Sequence, residues 1–190
     1  MVSVKHLGYI LAIFLLIITN TASAENIADI TQVGVNNVSH LKNEGNKNNV
    51  LISQIGDTSK SGDNYSDISV TGVNSTLEMR QEGVLNNSEI ATSGQNNVIS
   101  SSQNGDYNSS VISVIGDNNT THVGIDGSNN QIGLQQYGNS NNTNINIIGS
   151  DNSVHVTQDG NNLNYGLELG GNNQHIQIDQ HLNCSHAGSC

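Results

Sequence analysis

The chain has 190 residues, and its 5 Lys and Arg against 16 Asp and Glu give a formal net charge of −11. Its last cationic residue is Arg80, so the segment 81–190 contains neither Lys nor Arg. Because proteins bind nucleic acids through cationic side chains that release counterions from the phosphates, we expect no nucleic acid partner.

Residues 1–24 have the pattern of a secretory signal peptide. Lys5 and His6 precede the mainly apolar segment 7–18, and an Ala-x-Ala sequence ends at Ala24. An apolar run of about twelve residues is too short for a membrane-spanning helix, which needs ~20. We expect cleavage after Ala24 and a secreted protein, extracellular or at the cell surface, with a net charge of −12 (4 − 16).

A glycine recurs every eleven residues after this leader, from Gly34 to Gly56 and from Gly72 to Gly171. The step from Gly56 to Gly72 is sixteen residues, which is one repeat plus a five-residue insertion at 57–61. Low hydrophobicity and abundant Asn and Ser could also indicate disorder, but a disordered polar chain has no reason to keep such a period. The period predicts a repeat architecture over residues 25–182.

Apolar and polar residues alternate inside each repeat, as in segments 50–54, 77–81 and 154–158. This period of two is typical of a half-buried strand. A Gly and an Asn in each repeat would weaken the right-handed coiled coil that an eleven-residue period otherwise permits. With repeats numbered from 1 to 11 and ending on Gly, we expect positions 5, 7 and 9 to face inward; position 7 is apolar in every repeat except at Ser101.

Two kinds of repeat alternate. One kind has a large aliphatic residue at position 5 and Gln at position 9, as in Val50 and Gln54. The other mostly has a small hydroxyl residue at position 5 and an aliphatic residue at position 9, as in Ser110 and Val114. The predicted fold is therefore all-β: a parallel, amyloid-like β-solenoid of about seven coils, each made of two strands and two repeats, roughly 34 Å tall at ~4.8 Å per coil.

The Gly-x-x-Asn segment between strands predicts a tight turn in which Gly and Asn adopt positive φ or bond the backbone through the side chain. Amide side chains at positions 9 and 3 are expected to bond to their counterparts in neighbouring coils. The predicted ladder residues are Gln54, Gln81, Gln103, Gln136, Gln158 and Gln180, with Asn48, Asn86, Asn97, Asn108, Asn119, Asn130, Asn141 and Asn152.

The alternation at position 9 breaks once, where Val114 is followed by Ile125. If every coil consists of two repeats, the Gln ladder must pass from one sheet to the other between Gly116 and Gly127. We therefore predict a packing defect or a boundary there, between 25–116 and 117–182.

The repeats resemble those of a known family. Residues 81–86 and 103–108 read Gln-Glu-Gly-Val-Leu-Asn and Gln-Asn-Gly-Asp-Tyr-Asn, and Ser88 and Ser110 follow at a spacing of two. This is similar to the curlin repeat, Ser-x5-Gln-x-Gly-x-x-Asn-x-Ala-x3-Gln, and the resemblance extends over roughly 28–182. It departs at the second Gln, where Val70 and Val114 are examples of the replacements.

The resemblance implies a subunit of curli, the extracellular amyloid fibres of bacterial biofilms. In that family a major subunit polymerises on a membrane-associated minor nucleator after export through a dedicated outer-membrane pore. The implied partners are therefore copies of the chain itself, another curlin-type subunit and the curli-type export machinery. Either role, major subunit or nucleator, is open.

Residues 183–190 form a Cys-containing tail outside the repeats. An oxidising compartment favours a disulfide between Cys184 and Cys190. The alternative is a metal site made with His181 and His186, whose ligand types suit zinc.

Catalytic patterns are absent from the sequence. No paired carboxylates, nucleophile with a base, or phosphate loop stands out from the repeat, so we expect no enzymatic activity, cofactor or small-molecule substrate. The leading hypothesis is a structural subunit that assembles into curli-like fibres for biofilm matrix and adhesion. The alternative is a monomeric β-solenoid that binds a surface or ice, although the chain lacks the Thr-x-Thr ladder common in ice binding.

Overall fold

The computed structural model describes residues 2–6, 15–21, 26–56 and 63–182, and all regular secondary structure in these ranges is β-strand. None of these ranges contains a helix long and apolar enough to cross a membrane. The strands are β1 (Val2–His6), β2 (Leu15–Thr21), β3 (Ile27–Val33), β4 (Val38–Asn46), β5 (Asn49–Ile55), β6 (Tyr65–Val73), β7 (Thr76–Glu82), β8 (Asn87–Gln95), β9 (Val98–Asn104), β10 (Ser109–Ile115), β11 (Thr120–Ser128), β12 (Gln131–Tyr137), β13 (Asn142–Ser150), β14 (Ser153–Asp159), β15 (Asn164–Gly170) and β16 (His175–His181).

The strands form two parallel sheets. One sheet contains the odd-numbered strands in chain order and the other the even-numbered strands, here called the odd and even sheets. Partners in adjacent strands of one sheet usually lie two repeats apart in the chain, as do Ile112 and Leu134. The predicted β-solenoid is confirmed, with seven coils that run from β3 and β4 (first coil) to β15 and β16 (seventh coil).

Two more strands lie beneath the first coil. β1 pairs with β3, with Val2 opposite Ala28, and β2 pairs with β4, with Leu15 opposite Val38. Both strands belong to the segment predicted to be a signal peptide. Its cleavage after Ala24 stays a prediction.

The insertion at 57–61 leaves the stacking intact. Across it, Ile52 of β5 pairs with Met79 of β7, so these partners are separated by two repeats and the inserted segment. The pairing of the described strands on either side is therefore kept across the insertion. The insertion lies between β5 and β6 in the chain, and both strands keep their inward residues buried.

The interior is one continuous apolar cluster between the two sheets, from Ala28 to Leu169. The inward assignment of positions 5, 7 and 9 is confirmed, since the residues at these three positions are buried in every strand from β3 to β14. Each buried aliphatic side chain contributes about 1.5–3 kcal/mol relative to exposure. With so few apolar residues per coil, buried hydrogen bonds must supply much of the remaining stability.

The predicted crossing of the Gln ladder is confirmed, but the predicted boundary is wrong. Gln103 of β9 lies opposite Ile125 of β11, and Val114 of β10 lies opposite Gln136 of β12. Seven consecutive residue pairs join each of these strand pairs, and the apolar cluster continues through the crossing. An exchange of Gln for an aliphatic residue changes only the interior side chains, so backbone pairing is unaffected.

Candidate functional site

The corners of the solenoid have two residues with positive φ. One is the repeat glycine, such as Gly94 at 128°, and the other lies two residues later, as do Leu85 at 57° and Tyr107 at 61°. The turn prediction is thus confirmed for both residues, since Gly adopts positive φ and the Asn at position 3 bonds backbone groups through its side chain. Asn also occupies the position two residues after the glycine in seven of the twelve described corners and adopts positive φ more readily than most residues, so residue type carried a signal for it.

The Asn side chain at position 3 connects consecutive coils. Asn97 donates from Nδ2 to the carbonyl of Gly116 at 2.8 Å, and its Oδ1 accepts the backbone N–H of Asn119 at 3.0 Å. The side chain therefore pairs a buried N–H and a partly buried carbonyl of the next turn, which would otherwise be costly to leave unpaired. The bond to the glycine carbonyl of the next coil recurs at Asn26, Asn48, Asn64, Asn86, Asn108, Asn119, Asn130, Asn141 and Asn152.

All eight Asn residues of the predicted ladder belong to this set. The structure adds Asn26 and Asn64, which that list lacks. Asn26 is 2% exposed, and its Oδ1 accepts the backbone N–H of Asn48. Asn26 could have been found by extending the eleven-residue numbering into the first repeat, where it occupies position 3.

The Gln side chains form two ladders inside the solenoid. In each ladder, Nε2 donates to Oε1 of the Gln one coil further along the chain, at 2.7–2.9 Å. The odd-sheet ladder contains Gln32, Gln54, Gln81 and Gln103, and the even-sheet ladder contains Gln136, Gln158 and Gln180. The six predicted Gln residues thus lie in two ladders, and Gln32 extends the first.

Several Gln side chains also connect the two sheets. Gln81 of β7 donates to the backbone carbonyl of Tyr65 at the start of β6, at 3.0 Å. At the start of the second ladder, Gln136 accepts from Thr121 Oγ1 at 2.9 Å and donates to Thr143 Oγ1 at 3.1 Å. These hydroxyl partners lie in the odd sheet, on strands that carry no Gln at position 9.

Acidic residues that follow the glycines have a structural role. Asp117 accepts the backbone N–H of Gln95 at 2.8 Å, and Asp106 accepts that of Val84 at 3.0 Å. Within 26–56 and 63–182, no three His, Cys, Asp or Glu side chains lie close enough to hold a metal ion. Cys184 and Cys190 lie outside the described residues, so the disulfide and the alternative metal site stay predictions.

The pKa of two tyrosine hydroxyls is raised above its ordinary value. For Tyr65 the main cause of the raised pKa is burial, with the carboxylates of Asp67 and Glu89 adding to it. For Tyr165 the cause is burial alone. The Tyr65 hydroxyl lies 3.3 Å from Nδ1 of His40. This polar contact lies on the outer face of the even sheet.

The seventh coil has an open edge. β15 and β16 are the end strands of their sheets, and no described strand covers them. Four side chains at core positions are only partly buried there: Tyr165, Leu167, Ile176 and Ile178. Gln180 ends its ladder at this edge and is partly exposed as well. The edge therefore has unpaired backbone groups, apolar side chains and an amide, the features to which a further coil could bind.

The fold and these ladders define a class of protein. It comprises parallel β-solenoids in which ladders of amide side chains run through the interior, parallel to the stacking axis. The profile of the curlin associated repeat matches two segments, residues 24–56 and 127–160, which supports a curlin-repeat family. Each matched segment contains a Gln that bonds to the next Gln of its ladder, Gln32 to Gln54 in the first segment and Gln136 to Gln158 in the second. Comparison with curated proteins gave no match, and comparison with solved structures gave none either.

Proposed function

We propose that the protein is a secreted structural subunit that assembles end to end into extracellular cross-β fibres of the curli type, for biofilm matrix and adhesion. The open edge of β15 and β16 carries this proposal, because it presents a complete cross-section of the solenoid with its core only partly covered. The proposal includes a signal peptide at 1–24, solenoid repeats at 25–182, and a tail at 183–190. It also includes curli-type export and a second curlin-type subunit as partners.

The energetics favour addition of a coil to an existing edge. Each residue that is ordered costs about 1–2 kcal/mol of backbone entropy, and a new coil gains few apolar contacts by itself. A coil placed on β15 and β16 forms two rows of backbone hydrogen bonds and covers the four partly buried core residues at once. Repeat solenoids without a polar cap are therefore prone to grow by addition of another copy.

Fibre formation can be tested on the secreted protein. We expect thioflavin-positive fibres whose diffraction shows a meridional spacing of ~4.7 Å. A monodisperse monomer that persists at high concentration would instead favour the monomeric binding module.

A pair of lysine substitutions tests the role of the edge. Ile178→Lys places a charge at a core position of β16, whereas Gln177→Lys places the same charge at the exposed neighbouring position. We expect the first variant to slow seeded fibre growth at least tenfold and the second to change it by less than about threefold. Equal growth rates would show that fibres do not extend from this edge.

A further inference from the structure

We propose that the contact between successive copies in the fibre has one defined register, in which β15 pairs with β3 of a second copy and β16 with its β4. This inference rests on the proposed function and on removal of residues 1–24, because β1 and β2 otherwise occupy the edges of β3 and β4. The register simply continues the stacking of coils that each contain two repeats. Equivalent repeat positions then lie opposite each other across the joint.

The interior side chains at position 5 are complementary in this register. Tyr165 of one copy lies opposite Ala28 of the next, and Ile176 lies opposite Ser39. In both cases a large, partly exposed residue at the end of one copy meets a small, buried residue at the start of the other. Large residues packed on small ones fill the interior without overpacking.

The side chains at position 9 also have precedents inside the chain. Leu169 would lie opposite Gln32 of the next copy, as Val114 lies opposite Gln136 at the crossing within the chain. Gln180 would lie opposite Asn43, whose buried Nδ2 has no hydrogen-bond partner among the described residues. The joint therefore brings a second amide to this unpaired group.

The outer faces bring opposite charges together. Asp179 at position 8 of β16 would lie directly opposite Lys42 at position 8 of β4 in the next copy. Lys and Arg are confined to the chain up to Arg80, whereas the later coils carry only acidic charges. A contact between the ends of two seventh coils would put Asp179 near its own counterpart, so the charges favour head-to-tail polarity.

One competing register places β3 over β16 after a half-turn shift. It would continue the Gln ladder directly from Gln180 to Gln32, but it leaves half a coil empty above β15. The same shift puts Lys42 on the side of Glu168, at position 8 of β15. The two registers therefore predict different neighbours for a single lysine.

Zero-length carbodiimide crosslinking of fibres grown from a mixture of ¹⁴N- and ¹⁵N-labelled secreted protein distinguishes the registers. Within one copy, Lys42 and Asp179 lie six coils apart, about 29 Å at ~4.8 Å per coil, so a bond between them must join two copies. We expect a mixed-isotope Lys42–Asp179 crosslink in fibres. If fibres form but show a Lys42–Glu168 crosslink, or no intermolecular crosslink to Lys42, the proposed register is wrong. Failure to form fibres would overturn the proposed function as well.

Charge reversal provides a second test in seeded growth assays. Asp179→Lys and Lys42→Asp each place like charges opposite each other in the joint, and we expect either to slow growth about threefold to tenfold at low salt. Growth of the double variant should return to within about twofold of the original. Glu89→Lys is the matched control, because it makes the same charge change in the same sheet but in an interior coil. Failure of the double variant to restore growth, or equal slowing by the control, would contradict the pairing.

Discussion

At the scale of the single residue, each corner depends on close contact between glycines of successive coils. A Cβ added to Gly116 would lie 2.0 Å from the carbonyl oxygen of Gly138, and Gly116 has a φ of 125°. Both conditions exclude a side chain, so the eleven-residue glycine period records the stacking distance between backbones as well as the turn.

Substitution of this glycine should therefore be costly. For Gly116→Ala we expect a loss of about 2–4 kcal/mol in the free energy of unfolding, from backbone strain and forced separation of two corners. Gly166→Ala is the control, because no atom lies within 4 Å of a Cβ at that position. Urea unfolding measures both, and equal stability of the two variants would contradict the contact.

The corner asparagine should be nearly as sensitive. Asn97→Ala leaves the carbonyl of Gly116 and the N–H of Asn119 without their side-chain partner. Each unpaired buried group costs about 1–3 kcal/mol, so we expect a loss of about 2–5 kcal/mol in the free energy of unfolding. Asn144→Ala, at an exposed outward position, should stay within about 0.5 kcal/mol. A small effect of the Asn97 substitution would show that water replaces these bonds.

Some of these contacts could be predicted from the sequence and others could not. Alternation identifies the inward residues, because apolar and polar residues alternate along each strand. The period identifies the ladder amides, because Asn recurs at position 3 in most repeats and Gln recurs at position 9 in every second repeat apart from the crossing. The bond from Asn97 to Gly116 joins residues 19 apart in the sequence, and the sequence has no period of 19. This separation equals one coil of 22 residues minus the three residues from Gly to the following Asn. Gln136 bonds to Thr121 and Thr143 because its ladder lies in the even sheet, opposite these two residues. Which sheet holds the ladder depends on the whole stack, so these bonds could not be predicted from a single repeat.

At the scale of the strand and coil, each of the seven coils has one Gln at position 9. In the first four coils it lies in the odd sheet, and in the last three it lies in the even sheet. The residue across from it is Asn43 in the first coil and a smaller or aliphatic residue in the others. The crossing therefore changes the side of the Gln but keeps the number of Gln per coil, which explains why the stack continues through it.

A ladder position should matter in proportion to the bonds that it makes. Gln81 makes three: it accepts from Gln54 and donates to Gln103 and to the carbonyl of Tyr65. Gln103, the last member, makes two, one with Gln81 and one with the carbonyl of Asn87. We expect Gln81→Leu to lower the free energy of unfolding by about 2–5 kcal/mol and Gln103→Leu by roughly two thirds as much. Thermal or urea unfolding compares them, and the reverse order would contradict a directional ladder.

At the scale of the whole molecule, the charge distribution gives the stack a polarity that its nearly uniform backbone lacks. Outer acidic residues continue to the last coil, whereas the last cation is Arg80 in β7. Within one copy, Lys42 pairs with Glu44 and Arg80 pairs with Glu82. Acidic outer faces repel one another laterally, whereas the proposed joint between the first and seventh coils would place Asp179 opposite Lys42. In the proposed fibre, growth along the axis would thereby be favoured over association between outer faces.

The position of Arg80 also allows a direct test of the fold. In unfolded protein, trypsin should cut after Arg80 and leave residues 81–190 as one fragment, because no Lys or Arg follows. In folded protein the same bond lies inside β7, which is hydrogen-bonded to β5 on one side and β9 on the other. We therefore expect this cut to be strongly suppressed until denaturant is added, and mass spectrometry of the digest reports it. Digestion with a Glu-specific protease after denaturation is the control, since Glu82, Glu89 and Glu168 lie within the fragment. Rapid release of 81–190 under native conditions would show that β7 is not a paired interior strand.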